Sequence, residues 1–207
     1  MAHNMGLMVD YATLPPREIE RLSRAIFPGE WAVESCRPIS TLLGSCIAVC
    51  LFDAALPLGG MNHFMLPQLN RGLYADEDVL LAGDACMEAL LNAMLNQGAA
   101  RHRIKAKAFG GGAVINTNQC PTRSVGQRNV DFIREWLTRE GIPLIASDFL
   151  GPWSRKVLLL PSNGEVLCKR MATSMVNAQN LAREEQAYAE SLLKKPAGEG
   201  GKRIELF

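Results

Sequence analysis

Cys46 and His63 are the two residues whose types and spacing best suit bond-making chemistry. They lie seventeen positions apart in the stretch LGSCIAVCLFDAALPLGGMNHFMLP, within a chain that has six cysteines and three histidines. A free thiol has a pKa of about 8.5 and is mostly protonated at neutral pH, so sulfur chemistry needs a neighbour that takes the proton, and an imidazole is the usual one. Gly44-Ser45, just before the cysteine, lets the chain turn sharply and aim backbone N–H groups at a carbonyl oxygen, as an oxyanion hole requires. Ser40 and Thr41, a little upstream, carry hydroxyl or backbone groups able to hold an imidazole in one tautomer.

Two other readings compete. Free cysteine is among the most buried residue types, which assigns Cys36, Cys50, Cys86 and Cys168 to the core, and His63 among Met61, Phe64 and Met65 equally fits a packed histidine. Cys46, Cys50 and His63 also have the spacing of three zinc-finger ligands. The fourth would fall at Pro67, Gln68 or Leu69, none of which binds zinc, and two cysteines four residues apart on a strand are about 13 Å apart. No metal is expected.

The elements around the pair decide whether it can act. IAVCLF, after Cys46, has no polar alternation and reads as a strand covered on both faces. Gly59-Gly60 precedes a second strand, Met61 to Leu66. If these two strands are antiparallel about a turn centred on Ala54-Ala55, Cys46 and His63 share a face and sit directly opposite; a turn centred on Leu56-Pro57 separates them by roughly 13 Å.

Further along, Arg17 to Phe27 reads as a short amphipathic helix, Trp31 to Ser35 as a strand, and Asp76 to Asn96 as a long helix with Asp76, Glu77 and Asp78 at its N-terminal end. KAKAF runs as a strand into Gly110-Gly111-Gly112, where the backbone must turn or approach something closely. A third helix spans Asn129 to Glu140 with Val130, Ile133 and Leu137 inward. Strands at Ile142 to Ser147, Lys156 to Leu160 and Glu165 to Lys169 follow, the last two joined by the turn Pro161-Ser162-Asn163-Gly164. A final helix is expected over Met171 to Lys195, then a flexible tail, 196–207, ending in Ile204-Glu205-Leu206-Phe207. The strict βαβ rhythm is missing, so the expected fold is a mixed-sheet α/β sandwich with flanking helices. Residues 1–195 are expected to form one domain.

Composition agrees with a globular chain: 207 residues, 48% apolar, 21% charged. A net charge of +1 argues against nucleic acid or a lipid surface as the main partner. The N-terminus lacks the pattern of a secretory signal and no apolar run is long enough to span a bilayer, which points to the cytoplasm and to free thiols rather than disulfides.

LGSCIAVCLFD followed by GGMNHFMLP resembles the signature of CheD, the chemoreceptor glutamine deamidase family of bacterial chemotaxis. The resemblance continues through Tyr74, KAKAFGGGA, SVGQRNVDFIREWL, the Asp148 to Arg155 segment and KVLLLPSNGEV, roughly residues 29 to 170. It implies a fold similar to the catalytic domain of the cytotoxic necrotizing factor deamidases. It also implies a cofactor-free cysteine hydrolase that converts glutamine to glutamate on receptor cytoplasmic helices, with a CheC-like phosphatase as a further partner and contact with membranes only through receptors. The family's cysteine and histidine fall on Cys46 and His63. Its third, hydroxyl-bearing residue falls on Ser40, a serine where threonine is usual, with Thr41 as the neighbouring substitute. The Phe149 to Arg155 loop departs from the family's glycine-richer pattern and bears on partner choice. An adaptor with an inert Cys46, and a transglutaminase in which an amine takes the thioester, are the alternative functions.

Overall fold

The computed structural model describes residues 11–53, 55–66, 82–113 and 124–172. Among the described residues nine strands form two sheets. The first has the order β1 (Arg24–Ala25), β3 (Ile39–Leu43), β8 (Trp153–Leu160), β9 (Glu165–Ala172). The second has the order β2 (Trp31–Glu34), β5 (Leu58–Asn62), β4 (Ile47–Asp53), β6 (Lys105–Gly110), β7 (Leu144–Phe149). All neighbours are antiparallel except β1 with β3 and β6 with β7. Three helices complete the described fold, α1 (Pro16–Leu22), α2 (Gly83–Asn96) and α3 (Val125–Arg139).

Strand β4 explains the layering. All seven of its residues are buried, as a strand without polar alternation must be. Ala48 and Cys50, with Cys46 before them, pack against Ile39 and Leu43 of β3 and Val157 and Leu159 of β8, so this face looks across to the first sheet. Ile47, Val49 and Leu51 point the other way, into Met87, Leu90 and Met94 of α2 and Val130, Ile133 and Trp136 of α3. Helix α1 lays Ile19 on Leu158 and Leu160, on the far side of the first sheet. The result is the expected mixed α/β sandwich with flanking helices.

Several boundaries differ from expectation for local reasons. Helix α1 stops at Leu22 because Arg24–Ala25 pair with Ile39 and Ser40. Ala82 is extended, so α2 starts at Gly83 rather than at Asp76, and residues 76–81 lie outside the described ones. Helix α3 starts four residues early, at Val125, because the Ser124 hydroxyl caps it by accepting from Gln127 N at 3.2 Å. Gly59 and Gly60 lie within β5 rather than before it: a Cβ on Gly60 would meet Leu90 of α2 at 2.7 Å, and one on Gly59 would meet the Pro161 backbone at 2.9 Å. Cys50 and Cys86 are buried as expected, whereas Cys36 is exposed in the bend between β2 and β3, and Cys168, on the edge strand β9, is half-buried against the inter-sheet cluster. Met171 and Ala172 end β9 rather than start a helix. The rest of the expected last helix and the tail 196–207 lie outside the described residues.

The β4–β5 hairpin sets the position of the chemistry, and one carboxylate sets the hairpin. Cys50 pairs with Met61 and Asp53 with Leu58, a register two residues removed from the one that would put His63 directly opposite Cys46. Asp53, 1% exposed, accepts from Ala55 N at 3.1 Å and Leu56 N at 3.4 Å within the turn, from Ala100 N at 3.1 Å, and from the Arg103 guanidinium at 3.0 and 3.1 Å. The bond to Arg103 leads in lowering its pKa to about 2. Because the folded value lies below the unfolded one, this stabilisation is full above about pH 4 and is lost as pH falls through about 2. Asp53→Ala leaves three backbone donors and a guanidinium unpaired, and we expect urea denaturation at pH 7 to show a loss of about 2–4 kcal/mol.

Candidate active site

Cys46 sits where the chain leaves the first sheet at Leu43 and enters the second at Ile47. The crossing is tied down through its carbonyls. Gly44 O accepts from Gly112 N at 2.8 Å, Ser45 O from Asn129 Nδ2 at 3.1 Å, and Cys46 O from Gly111 N at 2.8 Å. In a trans peptide the N–H of the next residue points opposite to the carbonyl. Fixing these three oxygens therefore fixes the directions of the Ser45, Cys46 and Ile47 N–H groups.

The Gly110-Gly111-Gly112 loop is glycine because each position lies against backbone, the crossing at Gly110, Gly126 of α3 at Gly111 and Trp153 of β8 at Gly112. A Cβ on Gly110, whose φ is +120°, would come within 2.1 Å of Cys46 O, and one on Gly112 within 2.3 Å of Trp153 O. The expectation of a close backbone approach is met, and at Gly110 the approached group is the backbone of the candidate nucleophile. Behind the loop, Leu150 N donates to Gly110 O at 2.9 Å and Ala113 N to Gly151 O at 2.8 Å. Buried Arg155 donates to the carbonyls of Trp153 and Leu150 and to Asp148, holding Leu150 at a φ of +61°. Arg170, and then Arg155, keeps the Asp148 carboxyl well below the usual carboxylate range. The Phe149 to Arg155 segment thus serves as a strut for the glycine loop.

His63 directly follows β5. Its N–H donates to Glu30 O at 3.0 Å, and its carbonyl accepts from Gly29 N at 2.8 Å. On the other side Ile47 and Phe64 exchange both backbone bonds, at 3.1 and 3.0 Å. Between that pair and Cys50↔Met61, the Asn62 side chain takes Val49 N at 3.0 Å. In this register His63 lies across from Ala48, so Cys46 and His63 are diagonal neighbours on one face rather than directly opposed. Both face the first sheet: Cys46 packs in the inter-sheet cluster, and His63 bonds a side chain of β3.

That side chain is Thr41, whose Oγ1 is 2.8 Å from His63 Nδ1 and 2.8 Å from Ile26 O. A carbonyl can only accept, so the one hydroxyl proton goes to Ile26, and His63 Nδ1 must donate to Thr41. The imidazole therefore carries its proton on Nδ1 and a lone pair on Nε2, which is buried and makes no hydrogen bond. Ser40, the expected third residue, is not beside the histidine. Its hydroxyl pairs with that of Ser23, the two oxygens 2.8 Å apart. Alternation along β3 is the reason, since Ile39, Thr41 and Leu43 face the second sheet and the residue between must face away.

Both partners are covered, Cys46 at 1% and His63 at 3% exposure. Burial pushes the His63 pKa down from 6.5 to about 3, so the imidazole is neutral at physiological pH. The segments that follow the two site strands, 67–81 and 114–123, lie outside the described residues. Among the described residues no three His, Cys, Asp or Glu side chains converge as a metal site would need, and no helix is long and apolar enough to cross a membrane. A neutral base of fixed tautomer, a thiol on the same face and a backbone turn of fixed direction together suit nucleophilic attack on a carbonyl.

The asparagine that holds Ser45 O was missed in the sequence. Its signal was present: Asn129 falls on the stripe of Gly126, Val130, Ile133 and Leu137, where a polar residue on a buried helical face calls for partners.

Comparison with known proteins gives a consistent picture. Residues 65–170 match the family described as CheD chemotactic sensory transduction, a span that begins just after His63. A probable chemoreceptor glutamine deamidase CheD 2 of Dechloromonas aromatica is 59% identical over 199 residues, covering 96% of this chain and 100% of that protein. Proteins given the same description in Burkholderia thailandensis and Chromobacterium violaceum are each 40% identical, over 92% and 88% of this chain and 96% and 88% of their own. Among solved structures, the Bacillus licheniformis hypothetical protein YfiH aligns over 63% of this chain and 60% of its own, with a TM-score of 0.40 and 13% identity.

The neutral, buried imidazole has a measurable consequence. Its folded pKa lies below its unfolded one, so the unfolded state binds the extra proton and stability falls as pH drops from 6.5 towards 3. We expect urea titrations at pH 7 and pH 5 to differ by about 1–2 kcal/mol in the native protein and by clearly less in His63→Gln. Equal differences in the two proteins would show that His63 is not the group responsible.

Proposed function

The chain belongs to the CheD family, and from that membership we propose that it is a cysteine-dependent amidohydrolase that deamidates glutamine side chains of chemoreceptors to glutamate. Its relatives, similar along nearly their whole lengths, are described as probable chemoreceptor glutamine deamidases. The observation that carries the reading is the relay from Ile26 O through Thr41 to His63, which leaves Nε2 as the basic nitrogen.

In this reading a glutamine carboxamide enters beside Cys46. The Cys46 sulfur attacks the amide carbon as its proton passes to His63 Nε2, and the resulting oxyanion is met by backbone N–H groups of the Gly44-Ser45-Cys46 turn. In the resting site the imidazole is neutral, since burial opposes a lone imidazolium. The thiolate and imidazolium arise together as substrate adds. The Nε2 proton then moves to the departing nitrogen, the C–N bond breaks, and ammonia leaves behind a thioester. Water, losing a proton to Nε2, adds to the thioester carbon; the C–S bond breaks, the proton returns to sulfur, and a glutamate side chain is released. Thr41 orients the imidazole throughout. The reading needs no cofactor. A binding role toward a CheC-like phosphatase rests on the family resemblance alone and belongs to the same proposal.

Ammonia release from a receptor cytoplasmic fragment tests it, with the amide-to-acid mass change located on specific glutamines. Cys46→Ala is expected to abolish release. Thr41→Val should lower kcat by about 10- to 100-fold, while Ser40→Ala, which alters only the contact to Ser23, should stay near the native rate. Release that persists in Cys46→Ala would overturn the hydrolase reading. Incorporation of an added amine in place of ammonia loss into water would instead point to a transglutaminase.

A further inference from the structure

Asn129 is buried at 0% exposure on α3, on the opposite side of the second sheet from the Cys46 sulfur. Its carboxamide nitrogen has two protons and donates to two carbonyls, Ser45 O at 3.1 Å and Met65 O at 2.9 Å. Those carbonyls flank different strands: Ser45 precedes β4, next to Cys46, and Met65 follows β5, two residues after His63. Both bonds need the nitrogen, so the orientation of the amide is settled, with Oδ1 making no hydrogen bond. Replacing the amide by an apolar residue would leave the carbonyls of Ser45 and Met65 without these donors, so Asn129 holds the crossing together as well as directing it.

We infer that Asn129 is a positioning residue that acts from behind the sheet to set the Cys46 backbone relative to the His63 segment. This rests on the deamidase reading. Holding Ser45 O toward α3 turns the N–H across the same peptide, that of Cys46, to the other side, where the sulfur lies and the oxyanion would form. The bond to Met65 O fixes the strand end carrying His63 to the same anchor. Gly126, one turn earlier on α3, strengthens the device: a Cβ there would come within 2.2 Å of Gly111 O, and Gly111 N is the donor to Cys46 O. One helical turn thus supports the nucleophile's backbone twice, once through Asn129 and once through the glycine loop.

The test uses Asn129→Leu, which removes both bonds at similar volume, and Asn129→Ser, which keeps polarity but is too short to span both carbonyls. Each is assayed on the full chain for deamidation of a receptor fragment and for the pH dependence of Cys46 alkylation by iodoacetamide, with rates normalised to folded protein by circular dichroism. The alkylation arm needs no deamidase activity, so it reads the inference even if the native protein proves inactive on receptors, an outcome that would overturn the functional reading alone. The expected result is a fall in kcat of about 10- to 100-fold at nearly constant KM, together with a shifted alkylation profile, in both variants. Folded variants that keep the native kcat or the native alkylation profile would overturn the inference. So would a rise in KM at constant kcat, which would place Asn129 in substrate binding. If Asn129→Leu does not fold, Asn129→Ser decides by the same two readouts.

Discussion

A single hydroxyl proton, donated by Thr41 to the carbonyl of Ile26, is the interaction on which the site depends. Because that proton is committed to an acceptor, the Thr41 oxygen has only lone pairs to offer, and His63 must keep its own proton on Nδ1. The tautomer of a buried imidazole is thereby set by a backbone carbonyl from the short first strand's end, one step removed from the ring. No carboxylate takes part in this relay. An anionic partner there would favour the imidazolium, whereas a neutral hydroxyl in a desolvated setting favours the neutral base.

The rest of the fold serves to bring Thr41 and His63 together, since they come from different sheets. Cys46 lies on the only covalent route by which β3 passes to β4, so the crossing that separates the two sheets also places the sulfur between them. At the turning point of this crossing the carbonyls are satisfied by the glycine loop and by Asn129. Close backbone approach excludes side chains on that loop, from Cys46 at Gly110, from Gly126 at Gly111 and from Trp153 at Gly112. The strut of Asp148, Arg155 and Arg170 keeps the loop in place from the far side.

Register is the second constraint. Asp53 centres the β4–β5 turn on Ala55 and Leu56 and ties it to Ala100 and Arg103. A shift of two residues keeps side chains on their faces, because the strand period is two, whereas a shift of one would send His63 to the helix side and break the site. The expected register and the observed one differ by that tolerable step. Cys46 and His63 therefore share a face in both, although the observed pair is diagonal.

What the sequence determined by itself is local and chemical. The unbroken apolar run of β4 required cover on both faces, the scarcity of histidines drew attention to His63, and Gly110-Gly111-Gly112 demanded a close backbone neighbour. These follow from side-chain type and from periods of two or 3.6, which act over a few residues. What only the tertiary structure decided is which groups meet. Ser40 and Thr41 are indistinguishable as hydroxyl donors in sequence; the pairing of β3 with β8 turns one towards His63 and the other towards Ser23. Asn129 looked like the start of a helix until the Ser124 cap extended that helix by a turn and put the side chain beneath the Cys46 backbone. Contacts between segments distant in the chain depend on register and layer order, and those are set by the packing of the whole molecule, not by any one stretch of it.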